Sequence, residues 1–177
     1  MKPEKINPYL KNGNFRVVIE TPKGSSNKYV WDKDLGAMSF KKPLPIGFTF
    51  PFDFGFIPGT EGEDGDPLDA LVLCDYPLMS NCVIECQLLG VLESKQKEPE
   101  TSNEYIRNDR FVFKAAESIQ YKTVTSIKEL EEKLINQIEK FFEFYNEQEG
   151  KEYKSIGVLG PNKARKLIEA GLVAKVE

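Results

Sequence analysis

Glycine and proline divide the first two thirds of the chain into apolar runs too short for bundle helices and of strand length. Residues 15–20 (Phe15-Arg16-Val17-Val18-Ile19-Glu20) are β-branched and partly alternating. The turn-rich residues 21–27 that follow predict a hairpin to a strand over residues 28–33. In that strand Lys28, Val30 and Asp32 share one face and Tyr29 and Trp31 the other. Further strands are expected around residues 48–57, 70–74, 83–92 and 110–114. So many short strands between Gly/Pro turns predict a small barrel.

The last third changes period. A helix is expected over residues 126–150: Ser126 with Glu129 has the form of a capping box, and Gly150 supplies the stop. Leu130, Leu134, Ile138, Phe141, Phe142 and Tyr145 make one apolar stripe at spacings of three and four, which packs this helix on the barrel. A second helix is expected to begin at Pro161 and end before Gly171. Residues 93–108, rich in Glu, Lys, Asn and Ser, read as an exposed loop. The fold class is therefore mainly β with α, and with no shift in composition residues 1–177 read as a single domain.

Composition then removes chemistry. The chain has no histidine, which excludes Ser-His-Asp and Cys-His nucleophiles and the usual His-bearing zinc sites. Acid–base work falls to carboxylates, Lys, Tyr or metal-activated water. A net charge of −4 argues against general nucleic-acid binding. The N-terminus lacks an apolar run of signal-peptide length, and no segment approaches the roughly 20 apolar residues of a membrane span. A cytoplasmic protein with no membrane partner is expected. Cys74, Cys82 and Cys86 lie in apolar, strand-like stretches and read as reduced thiols. Cys82 and Cys86 share a strand face but lack the further ligands of a zinc site.

The chemical signal is Asp64-Gly65-Asp66-Pro67-Leu68-Asp69. Three carboxylates within six residues repel one another, and a fold that gathers them calls for a cation. Gly65 permits a sharp turn, Pro67 fixes the backbone, and Leu68 pointing into the core aims Asp66 and Asp69 outward. All-oxygen donors suit Mg²⁺, Mn²⁺ or Ca²⁺. A solvated acidic turn is the competing reading of these residues alone.

This segment resembles the signature of the soluble, family I inorganic pyrophosphatases, D-x-D-P-x-D followed by an apolar residue. The resemblance extends along most of the chain. It includes Ile19-Glu20-Thr21-Pro22, Lys28-Tyr29, Gly36-Ala37, Phe54-Gly55-Phe56-Ile57-Pro58, Tyr76-Pro77-Leu78, Gly90-Val91-Leu92 and Phe141-Phe142-Glu143-Phe144-Tyr145. It implies an OB-like five-stranded β-barrel flanked by two C-terminal helices. It also implies Mg²⁺ as cofactor, with Mn²⁺ as substitute, and hydrolysis of pyrophosphate to two phosphates by metal-activated water. The expected assembly is a homo-oligomer, commonly a hexamer in bacterial relatives. By the same resemblance Asp64, Asp69, Asp66 and Asn108 are candidate metal positions, and Asp66, Lys28 and Glu20 the catalytic set with Asp66 as base. Lys28, Lys42, Arg110 and Tyr145 are candidate substrate contacts.

The departures from the family pattern are specific. Val30 replaces an acidic residue, Lys42 an arginine, and Phe50 and Phe54 two tyrosines. Gln96 and Asn108 fall at metal-ligating aspartates, Arg110 at a lysine, and Asn146 at the lysine after Tyr145. Glu98, Glu100 or Asp109 are candidate replacements for the absent carboxylates. These changes imply attenuated hydrolysis. The alternative is a non-catalytic paralogue that binds a phosphate compound or partner subunits.

Overall fold

The computed structural model describes residues 3–97 and 104–173. In chain order its strands are β1 (Phe15–Thr21), β2 (Asn27–Asp32), β3 (Ala37–Pro43), β4 (Asp53–Phe56), β5 (Asp69–Leu73), β6 (Val83–Lys97), β7 (Ile106–Arg107), β8 (Arg110–Ala115) and β9 (Glu152–Leu159). The helices are α1 (Glu132–Glu147) and α2 (Pro161–Ala170). β1 pairs antiparallel with both β4 and β6, β4 with β5, β5 in parallel with β8, and β8 antiparallel with β6. The order β1-β4-β5-β8-β6 thus returns to β1 and closes a ring of five strands. The barrel expectation holds.

Strand alternation sorts the core onto two faces. On β5, Leu71 and Leu73 join a cluster with Ile138, Phe141, Phe142 and Tyr145 of α1, whereas Ala70 and Val72 join one with Ala164 and Ile168 of α2. Asp69 and Arg110 open β5 and β8 as direct register partners. By parity both belong to the α1 face, Asp69 with Leu71 and Arg110 with Val112. Glu20 likewise has the opposite parity to Phe15, Val17 and Ile19, which face α2. Alternation alone therefore delivers Glu20 and Asp69 to the same side. Gly55 lets β4 approach β1 closely, since a Cβ there would lie 1.9 Å from the Val18 carbonyl oxygen.

Four expectations are corrected. The turn after β1 does not make a hairpin: β2 pairs with β3 in a separate two-stranded sheet. In place of a ladder, Thr21 Oγ1 accepts from Tyr29 N at 3.0 Å and donates to Tyr29 O at 2.9 Å. The first helix starts at Glu132, not at residue 126. Ser126 instead caps a short 3₁₀ turn that buries Ile127, and extended Leu130 breaks the path. Glu129 bonds Thr125 N at 3.0 Å, one residue short of a capping box.

The expected strand over residues 48–57 is confined to β4, with Phe50 and Phe52 in the core outside it. Residues 93–97 are not loop. They extend β6, with Ser94 and Gln96 buried, because β7 and β9 pair with this polar stretch. β9 itself goes unread in the sequence because it is half-exposed and weakly alternating. The second helix matches its expected bounds.

The three cysteines are free, and burial pushes the Cys86 thiol up. No helix among the described residues is long and apolar enough to cross a membrane.

Candidate active site

The acidic segment is a turn leading into β5. Gly65, at φ +80°, adopts the left-handed conformation that glycine tolerates. Gly62 N bonds Asp66 O at 2.8 Å, Asp66 N bonds Asp64 Oδ1 at 3.2 Å, and Leu68 N bonds Thr60 Oγ1 at 3.0 Å. Leu68 packs toward the α2 cluster, as expected. Asp64 and Asp66 are exposed and Asp69 half-buried. Although its residue is exposed, the Asp64 carboxyl is partly desolvated by the turn around it, and this, with Asp69 and Asp66, raises it above the ordinary aspartate range against the Asp66 N–H and Arg110. Asp69 is raised by burial and by Asp66, against the pull of Arg110 and Lys28.

The turn opens on a cavity of about 580 Å³, lined by Glu20, Lys28, Val30, Lys42, Phe54, Asp66, Asp69 and Tyr145 among others. Of the residues singled out from the sequence, Glu20, Lys28, Lys42, Asp66, Asp69 and Tyr145 therefore meet. Asp64 lines an adjoining cavity of about 310 Å³, to which Asp69 also contributes a wall. Glu20 Oε1 accepts from Trp31 N at 2.7 Å. Burial, aided by Asp69 and Asp66, pushes the Glu20 carboxyl up to about 7 against the Trp31 N–H and Lys28.

Tyr145 lies between two lysines. Lys42 Nζ stands 4.3 Å and Lys28 Nζ 5.5 Å from its ring centre. Phe54 lacks a tyrosine's hydroxyl, yet its ring also faces Lys28 Nζ at 5.5 Å. Lys42 forms an ion pair with Glu149, and Lys151 Nζ lies 3.6 Å from the same carboxylate. Lys41, Asp32, Asp34, Glu149 and Lys151 also line the cavity, and sequence reasoning missed them. Apart from Asp32, which alternation puts on the face of Lys28 and Val30, no spacing signal joins them to the site, since they arrive from the turn between β2 and β3, from β3 and from the segment after α1.

Two candidates lie outside the larger cavity, although Asn108 lines the smaller one with Asp64 and Asp69. Arg110, expected at the substrate, is 4% exposed and lines neither cavity. Its Nη1 lies 2.9 Å from Asp69 Oδ2 and 2.7 Å from Asn108 O, and its guanidinium stacks 4.9 Å from the Phe142 ring centre. Asn108, expected at a metal, turns its Oδ1 to that same Nη1.

Nor does the rest of the altered segment offer free donors. Asp109 accepts from Ser94 N at 3.0 Å and from Arg107 Nε at 2.6 Å. Gln96 is buried between β7 and β9, and Asn146 bonds Phe142 O of its own helix at 2.8 Å. Glu98 and Glu100 lie outside the described residues.

The donor set fits a divalent cation on one side only. Asp64, Asp66 and Asp69 supply oxygen donors on one turn, and desolvation followed by neighbouring carboxylates disfavours the charged forms of Asp64 and Asp69, the condition a hard cation relieves. Among the described residues no group of three or more acidic or thiol side chains is gathered closely enough to hold a metal ion by itself.

Residues 17–174 match the family described as inorganic pyrophosphatase. An inorganic pyrophosphatase of Thermus thermophilus is 38% identical over 144 residues, covering 81% of this chain and 78% of that one. One of Sulfolobus acidocaldarius is 36% identical over 144 residues, 81% and 80% of the two chains. Among solved structures, that of the Thermus thermophilus enzyme superposes with a TM-score of 0.87 at 32% identity over 97% of both chains. The Helicobacter pylori enzyme gives 0.82 at 30% identity over 94% of this chain and 96% of that one. The chain belongs to the inorganic pyrophosphatase family.

Proposed function

We propose that this protein hydrolyses inorganic pyrophosphate to two phosphates, with Mg²⁺ as the resident ion and Mn²⁺ able to replace it. The observation that carries the reading is the acidic turn opening on a cavity that Lys28 and Lys42 also line. A dense polyanion enters such a site only where cations meet it. When bound, the divalent ion, held by Asp64, Asp66 and Asp69, neutralises phosphoryl charge and makes water a stronger acid.

The side chains do the rest. Lys28 and Lys42 hold terminal phosphoryl oxygens, and the Tyr145 hydroxyl donates to the same group. Asp66, exposed on the turn, takes the proton from the attacking water. As the water oxygen bonds one phosphorus, the bond from that phosphorus to the bridging oxygen breaks, and the electron pair leaves with the second phosphate. Glu20 completes the catalytic set as a carboxylate close to Asp66 and Asp69. Arg110 and Asn108 are left out of the substrate and metal sets, since their contacts run to Asp69 and to each other.

Activity is attenuated relative to a member with the full ligand set, because Val30, Gln96 and Asn108 supply no charge. Phosphate release with and without Mg²⁺ tests the reading. Asp66→Asn should lower the rate at least ~10²-fold with the fold intact by circular dichroism. No release above a metal-free control, with Mg²⁺ or Mn²⁺ from neutral to alkaline pH, replaces the enzyme with a non-catalytic phosphate binder. We assign the chain to one domain, a cytoplasmic setting and a homo-oligomer, a hexamer by likeness to bacterial members, which sedimentation equilibrium would reveal or refute.

A further inference from the structure

Arg110 is held more tightly than a substrate-binding cation needs to be. Besides its 2.9 Å contact with Asp69 and its bonds to Asn108, it lies 3.3 Å from Asp109 O, and the Phe142 ring closes one face of the guanidinium. Its Nε is buried without a partner among the described residues. A flexible ammonium could swing aside when a metal arrives, but a stacked, planar guanidinium on a 4% exposed side chain cannot do so without leaving its pocket.

The charge pattern points the same way. This fixed cation sits beside neutral Asn108, which stands where a carboxylate was expected, and the side-chain oxygen of Asn108 is bonded to it. A site that already contains a positive charge on Asp69 has less negative charge to offer a divalent ion.

We infer that Arg110 is a resident cation: its guanidinium holds on Asp69 the place that a divalent ion would otherwise take. The inference rests on the reading of Asp64, Asp66 and Asp69 as metal ligands. The free protein therefore binds divalent ions more weakly, or binds one fewer, than the same fold without the guanidinium. The loss of charged ligands and the gain of a built-in cation are then two sides of one change.

The test uses metal-free protein and Mn²⁺ alone, followed by the paramagnetic resonance signal of the free ion. Arg110→Gln, verified folded by circular dichroism, should bind Mn²⁺ at least tenfold more tightly or gain a site. Unchanged or weaker binding overturns the inference. Should Arg110→Gln fail to fold, Asn108→Asp decides, because it keeps the side-chain shape and adds a carboxylate beside the guanidinium. A resident cation absorbs that charge, leaving Mn²⁺ affinity within threefold of wild type, whereas a tenfold gain overturns the inference. Phosphate release is scored separately. Hydrolysis by the wild type with unaltered Mn²⁺ binding in Arg110→Gln removes the resident cation and leaves the enzyme. Tighter binding without hydrolysis supports the resident cation and removes the enzyme.

Discussion

Glu20→Gln should make the metal-free protein more stable at alkaline pH. The Glu20 carboxyl stands at about 7 where 4.5 is ordinary, a gap worth about 3 kcal/mol at 1.36 kcal/mol per pH unit. Burial is the main cause, with Asp69 and Asp66 adding to it and the Trp31 N–H and Lys28 opposing. Because the folded value is raised, the fold favours the protonated acid. Wild-type stability from this group is therefore greatest below about pH 4.5, declines as pH rises to about 7, and stays low above. Glutamine removes the charge and keeps an oxygen for Trp31 N. The expected gain is about 3 kcal/mol at pH 8 and under about 1 kcal/mol at pH 5. For a chain of this size that is a rise in Tm of about 5–10 °C at pH 8. Thermal unfolding in EDTA at the two pH values measures it. Saturating Mg²⁺ should shrink the gain, since a nearby cation favours the ionised carboxylate. A variant equally or less stable than wild type at pH 8 would refute the account of Glu20 as a charge held against burial.

Two further outcomes follow from the geometry. Lys42→Met removes the cation 4.3 Å from the Tyr145 ring and leaves Glu149 to Lys151. Steady-state phosphate release should show kcat/KM for pyrophosphate lower by about 10–100-fold, the worth of one charge-assisted contact, and an unchanged value removes Lys42 from the substrate set. Gly55→Ala brings a Cβ to 1.9 Å from one backbone atom and 2.8 and 2.9 Å from two more. Urea denaturation should register a loss above about 4 kcal/mol, and a loss under about 1 kcal/mol would contradict the close approach of β1 and β4.

What the sequence made legible was local. The Asp64–Asp69 turn announces itself because its carboxylates, Gly65 and Pro67 are neighbours in the chain, and α2 because Pro161 and Gly171 bracket it. Glu20, Lys28, Lys42 and Tyr145 were reached through family resemblance; in the fold, alternation turns Glu20 to the site, the β2–β3 register makes Lys28 and Lys42 partners, and the apolar stripe of α1 carries Tyr145. Opaque positions depended on pairings across the chain. β9 forms because residues 91–97 offer it an edge, and Ser94 and Gln96 are buried by strands found some 10 and 60 residues further on. A polar stretch buried on both sides by pairing reads in isolation as a loop.

The same pairings explain why the altered half of the site can persist without acidic ligands. Carboxylates gathered on β6 and β8 would repel one another and lean on an outside cation for folding. Here the segment satisfies itself instead: Arg107 bridges Glu93 and Asp109, Asp109 accepts from Ser94 N, and Arg110 joins Asn108 to Asp69. Every one of these acids has a fixed basic or backbone partner drawn from the chain itself. Asp64 and Asp66, by contrast, have no ion pair to hold them among the described residues and remain exposed on their turn. The turn that carries Asp66 therefore presents carboxylates to the two cavities without a fixed basic partner. Those carboxylates, and not the self-satisfied segment of β6 and β8, are the ones left to meet a cation from outside the chain.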